Sequence, residues 1–200
     1  MYIATEDELS EVVLRRILRD FPEIIVGHSL RRGGFGYLKR NIRAFNQSAQ
    51  GIPFLLLTDL DRCPCASALI TDWLRNVPRH NHLLLRVAVR EVEAWLLADP
   101  ESLANFLNVS ITHMPAAPDR LPDPKRTLVQ LARRSRIRSI RMDITPAEGS
   151  TAPQGPNYNG ALRPFVESEW NPQQARIISP SLDRAIRAID ALHAEYPTGN

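Results

Sequence analysis

The sequence predicts an α/β protein on a four-stranded, mostly parallel sheet, with helices on both faces and a helical, proline-rich C-terminal region. Three observations carry this. Strand-like and helix-like patterns alternate four times over roughly the first hundred residues, the rhythm of β-α-β units. The strand-like runs are short and continuously apolar, as strands buried on both faces are. Eleven of the sixteen prolines lie beyond residue 110, where the alternation stops and a second region is expected.

Each element follows from its pattern. Tyr2 to Thr5 is a short apolar strand. Asp7 to Phe21 is a helix, with Leu9, Val13, Leu14, Ile17 and Leu18 on a wide apolar face and Arg15, Arg16 and Arg19 opposite. Pro22 stops it, and Glu23 to Val26 is the second strand. A glycine-rich turn, Gly33-Gly34-Phe35-Gly36, precedes a helix from about Tyr37 to Ser48. Ile52 to Leu57 is the third strand, Ala66 to Asn76 the third helix and His82 to Val89 the fourth strand. A helix starts at Glu91, and Pro100 interrupts or ends it. After the proline-punctuated stretch from Val109 to Pro124, Arg126 to Arg136 is helical, Thr145 to Asn159 is loop, and Ser179-Pro180 opens a last helix, with Ser as cap and Pro in the first turn. The expected domains are 1–108 and a mostly helical extension, 109–200, packed on it.

Composition narrows the classes. The apolar fraction is 44%, enough for a sizeable core. No apolar run approaches the ~20 residues of a membrane span, and the first residues lack the basic and apolar regions of a secretory signal. Cys63 and Cys65, the only cysteines, stand too close for an ordinary structural disulfide. A reducing cytoplasm is the expected setting. Net charge is +3, but it is clustered. Lys125, Arg126, Arg133, Arg134, Arg136, Arg138 and Arg141 fall in one stretch without an acid, and Arg31, Arg32, Lys39, Arg40 and Arg43 in another. Such patches suit polyanions, or equally a solvated helix face or an acidic partner protein.

The most informative stretch is Thr58-Asp59-Leu60-Asp61, which closes the third strand. If the strand runs through both carboxylates, they share a face. Side by side they repel, and a hard divalent cation relieves that cost. The ordinary alternative is an Asp that caps a turn or helix. In a parallel sheet the functional edge is at the C-terminal strand ends. Glu6 follows strand one, Asp59 and Asp61 end strand three, and Glu91 and Glu93 follow strand four, so all five acids are expected on one edge. Glu8 and Glu11 are accounted for by the preference of acids for a helix N-terminus.

Other candidates are weaker. The glycine turn is not a P-loop, because no Gly-Lys-Ser/Thr follows. It can still approach a phosphate through backbone N–H groups. His80 and His82 lack partners at metal-site spacing. Trp73, Trp95 and Trp170 are read as core or interface rather than base-stacking platforms.

With these residues in place, the first hundred positions resemble the Toprim domain of DnaG-type primases, topoisomerases and OLD-family nucleases. The pattern is a glutamate after the first strand (Glu6), Asp-x-Asp after the third (Asp59, Asp61) and further acid near the fourth (Glu91 or Glu93). Four blocks are closer still to small bacterial Toprim-like proteins encoded beside an ATPase and associated with anti-phage defence. They are Glu6 to Glu11, Leu57 to Asp61, Glu91 to Asp99, and Asp123-Pro124-Lys125. One departure is Asp7, where many Toprim domains have glycine.

The resemblance implies a Mg²⁺- or Mn²⁺-dependent nuclease acting on DNA or RNA. Asp59, Asp61, Glu6 and Glu93 would be ligands, and Glu6 a ligand or general base. Lys39, Arg133, Arg134, Arg136 and Arg138 would contact nucleic acid. It implies an ATPase partner and leaves room for a homo-oligomer; no membrane association is expected. The chain is too short for primase or topoisomerase modules. The competing expectations are a non-catalytic interaction subunit of an ATPase complex, and a phosphatase or nucleotide hydrolase using the same metals.

Overall fold

The computed structural model describes residues 1–31, 33–75 and 77–195. Arg32, counted in the second basic cluster, and Asn76, the expected end of the third helix, lie outside the described residues. The fold is α/β with a four-stranded, all-parallel sheet. Contacts divide the chain into two compact units, Met1–Val89 with Asp183–Asn200, and Arg90–Leu182. The chain therefore parts at residue 89, not 108, and most of the last helix belongs with the sheet.

In the first unit the elements are β1 (Tyr2–Thr5), α1 (Glu8–Leu18), β2 (His28–Leu30), α2 (Gly34–Ser48), β3 (Phe54–Asp59), α3 (Ala66–Leu74) and β4 (Leu83–Ala88). The sheet order is β2-β1-β3-β4. β3 is central, and Leu55, Leu56 and Leu57 are wholly buried, which is why its sequence is unbrokenly apolar. One face of the sheet packs against Leu38, Ile42 and Phe45 of α2 and Leu69 and Trp73 of α3. α1 packs on β1 and β3, presenting Leu9, Val13, Leu14 and Ile17. Asp7 caps α1 by accepting the Ser10 N–H at 2.8 Å, and Glu8 and Glu11 occupy its first turn.

Two strands are displaced from their expected positions. β2 is His28–Leu30, not Glu23 to Val26. The apolar Ile24–Val26 stretch is irregular chain after a turn at Pro22–Glu23 that the Ile24 N–H closes on the Phe21 carbonyl, and Ile25 is 79% exposed. Gly27 makes the entry to β2, since a Cβ there would meet the Tyr2 ring at 3.1 Å. β3 is shifted by two residues, because Pro53 cannot donate to a ladder and Ile52 is exposed. The strand thus includes Thr58 and Asp59, paired with Val87 and Ala88, but stops before Asp61.

The second unit is helical: α4 (Glu93–Leu97), α5 (Pro100–Leu107), two short 3₁₀ turns, α6 (Pro124–Arg133), α7 (Arg138–Ile144), α8 (Tyr158–Ser168) and α9 (Pro172–Ile178). α10 (Pro180–Ala194) starts here and continues into the first unit. Pro100 opens α5 as its first residue, and Asp99 caps it. The helix expected over Arg126 to Arg136 is α6, which ends at Arg133; α7 begins only at Arg138, after a break where the Ser135 hydroxyl accepts the Ile137 N–H at 3.0 Å. Ser179 caps α10 as expected, accepting the Leu182 N–H at 3.2 Å. α4 is the hub, touching α5, α6 and α9. Trp95 is fully buried; its indole N–H donates to Ser181 Oγ at 2.7 Å, and its carbonyl accepts the Trp170 indole N–H at 3.2 Å. Among the described residues no helix is long and apolar enough to cross a membrane.

Candidate functional site

Glu6 occupies the single position between the end of β1 and the cap of α1. β1 and β3 are neighbours in register, Thr5 beside Leu57, so Glu6 leaves the sheet beside the last two residues of β3. Its Oε1 accepts the Asp59 N–H at 3.0 Å and the Thr58 hydroxyl. Thr58 is buried and Asp59 half-buried. Burial pushes the Glu6 carboxyl above its ordinary range; the bonds from Thr58 and Asp59 oppose this, and the charges of Asp61 and Asp7 add to it. A desolvated carboxylate in a negative field, at the C-terminal edge of a parallel sheet, holds its proton more readily than a solvated one.

Asp61 reaches this field by a different route from the one expected. It is not on the strand, so the period of two does not place it. Leu60 is buried at 4% exposure, its N–H bonded to the Ala88 carbonyl at 2.9 Å. That anchor turns the chain, and Asp61 follows at φ 48°, exposed. Asp tolerates this left-handed region better than most residues. Glu11 is outside the cluster, paired with Arg15 at 2.9 Å and Arg31 at 3.7 Å.

Glu91 and Glu93 lie in the second unit. Glu91 Oε2 accepts the Lys125 N–H at 2.8 Å, while Asp123 caps α6 through the Arg126 N–H at 2.7 Å. Glu93 is 1% exposed. Its Oε1 accepts the Tyr158 hydroxyl at 3.0 Å and lies 3.5 Å from Lys125 Nζ. These two acids therefore fasten the start of α6 inside their own unit, which explains why the Glu-Val-Glu and Asp-Pro-Lys blocks occur together. Tyr158 was not legible in the sequence, because its partner is 65 residues away.

Arg133, Arg134, Arg136 and Arg138 are all exposed, around the break between α6 and α7. Lys39 pairs with Asp72 at 2.6 Å on the surface. Cys63 and Cys65 are free thiols.

Carboxylate oxygens are the hard donors that Mg²⁺ or Mn²⁺ takes, and Glu6 and Asp61 share one field at the sheet edge. Among the described residues no three His, Cys, Asp or Glu side chains are gathered closely enough to hold a metal by themselves. Magnesium is commonly bound through one or two carboxylates, its own waters and substrate phosphate.

The family model that matches covers residues 4–141. The chain belongs to the family described as a domain of unknown function, DUF4276. No curated protein and no solved structure matches it. The matched span holds Glu6, Asp59, Asp61, both acids of the α6 clamp and the basic strip; Tyr158 lies beyond it.

One consequence is directly measurable. Thr58→Val keeps the shape and removes a hydroxyl that holds the Glu6 carboxylate. The expected loss is about 1 kcal/mol of stability, together with a further rise in the Glu6 pKa, read by thermal denaturation across pH. Unchanged stability and pH dependence would remove Thr58 from the site.

Proposed function

We propose that this protein is a Mg²⁺- or Mn²⁺-dependent nuclease that hydrolyses phosphodiester bonds of DNA or RNA, working with an ATPase partner in anti-phage defence in the cytoplasm. The observation that carries the reading is the Glu6 carboxylate. It is desolvated at the sheet edge, tied to the end of β3, and within the field of Asp61. The Toprim resemblance of the same three residues supplies the reaction class and the partner.

Glu6 takes a proton from the attacking water, whose oxygen bonds to phosphorus. The ester P–O bond breaks, and the leaving oxygen takes its proton from solvent. Asp59 and Asp61 would hold the cation, which would supply charge neutralisation at the phosphoryl oxygens. Thr58 and the Asp59 N–H keep Glu6 oriented. The exposed arginines of the α6–α7 break contribute phosphate contacts, so affinity falls as salt rises.

The test is direct. The pure chain, with and without the ATPase, is incubated with labelled DNA and RNA in Mg²⁺, Mn²⁺ or chelator. Metal-dependent cleavage supports the reading. A wild type that cuts neither polymer with any metal, partner present, is instead an interaction subunit of the ATPase complex.

A further inference from the structure

α2 and α3 of the first unit border a cleft of about 430 Å³. Lys39, Arg40, Arg43 and Arg75 line it, with Trp73 as part of its wall, and no acid is among the lining residues. Lys39 is neutralised by Asp72 at 2.6 Å. Arg40, Arg43 and Arg75 are exposed. Gly36, Arg40 and Arg43 stand at i, i+4 and i+7, one face of α2, so the two arginines are about 4.5 Å apart along the helix axis and point the same way. Gly36 belongs to this arrangement: a Cβ there would meet Arg40 Nη1 at 3.2 Å, and its absence lets the guanidinium lie over the first turn. Arg75 adopts φ 45° at the end of α3. A cation at a helix C-terminus is favourable in itself, but that does not account for its meeting the α2 arginines in one cleft.

An aromatic ring packs on one wall residue of this cleft. Phe35, in the first turn of α2, is 36% exposed. It is held edge-to-face on Trp73 at 5.1 Å and 81°. Trp73 is itself 3% exposed, so it fixes Phe35 in place and offers no face to a ligand. A cationic cleft with an exposed, held aromatic packed on its wall is the combination by which proteins hold single-stranded nucleic acid: the cations take the backbone and the ring stacks a base. A duplex hides its base faces and would leave Phe35 unused. Only three residues separate β2 from α2, so the first turn of α2 starts at the strand edge that carries Glu6.

We infer that this cleft seats a single strand of nucleic acid, with phosphates on Arg40, Arg43 and Arg75 and one base stacked on Phe35. The inference rests on the nuclease reading for its polyanion and adds the form of the substrate.

The experiment measures binding in chelator, where cleavage does not occur. Fluorescein-labelled oligothymidylate, oligouridylate and a duplex of equal length are titrated with the full chain at low salt, followed by anisotropy. The single strands are expected to bind at least tenfold tighter than the duplex. Arg40→Glu with Arg43→Glu is expected to lose about tenfold or more and to flatten the salt dependence. Phe35→Ala is expected to lose about tenfold, and Phe35→Leu nearly as much, since it restores bulk but no π-face. Circular dichroism melts confirm that each variant folds.

DNA and RNA arms that differ identify the polymer. Equal binding of duplex and single strand, or wild-type affinity in either the arginine or the Phe35 variant, overturns the inference. Tight, variant-sensitive binding by a wild type that never cuts keeps the seat and refutes the nuclease instead.

Discussion

Glu6→Gln is expected to abolish cleavage and, at neutral pH, to make the protein more stable. The two effects have one cause. Glutamine keeps an oxygen that accepts the Asp59 N–H and the Thr58 hydroxyl, so the local geometry persists. It cannot take a proton, and losing a positioned general base costs about 100- to 10,000-fold in rate. The stability effect follows from linkage. The folded-state pKa of Glu6 is raised, first by burial, above the ordinary value of about 4.3. A group raised in this way contributes stability that is fully present below its unfolded pKa and is lost as pH rises through its folded pKa. Glutamine has no such loss. The melting temperature of the variant minus that of the wild type should therefore grow as pH rises through that window, then level off. Cleavage is followed by gel in Mn²⁺ with the ATPase present, and melting by differential scanning fluorimetry. Full activity in the variant would remove Glu6 from the chemistry. A melting difference independent of pH would mean that its carboxylate is not held out of water.

How much of this site was legible depends on what sets each residue. Glu6 and Asp59 were, because a parallel sheet puts strand ends on one edge and apolar runs mark strands. Asp61 was named for a partly wrong reason. Alternation assumed that β3 continued, whereas the buried Leu60 ends it and a left-handed turn delivers the carboxylate. β2 was misplaced because an edge strand of three residues, none of them buried, carries little hydrophobic signal, while the irregular segment before it happens to be apolar. The helices over 158–178 were not assigned. Gly160 and Pro164 interrupt the first, and the second is only seven residues long. The helix read over Arg126 to Arg136 ends at Arg133, because Ser135 takes the Ile137 N–H through a side-chain bond that periodicity does not register. The roles of Glu91 and Glu93 were beyond sequence, since their partners, Lys125 and Tyr158, are fixed by tertiary packing.

Lys125→Met is expected to destabilise the second unit strongly. Glu93 is 1% exposed and Lys125 Nζ lies 3.5 Å from its Oε1. Removing the ammonium leaves a buried carboxylate with less to compensate it, a change that costs about 3–5 kcal/mol. The low end, about 3, applies here, because the lysine side chain is 26% exposed and water screens part of the attraction. Glu93→Gln added to Lys125→Met should recover most of the loss, since an amide still accepts the Tyr158 hydroxyl without a charge to bury. Chemical denaturation followed by tryptophan fluorescence reads this well in a Trp73→Phe background, where the remaining indoles, Trp95 and Trp170, are both in the second unit and buried. The same variants separate structure from metal chemistry. If Glu93 serves the α6 clamp, Glu93→Gln lowers the denaturation midpoint while calorimetry finds Mn²⁺ affinity unchanged, whereas Asp59→Asn does the reverse. Loss of Mn²⁺ affinity in Glu93→Gln at unchanged stability would return Glu93 to the metal shell and make the clamp incidental.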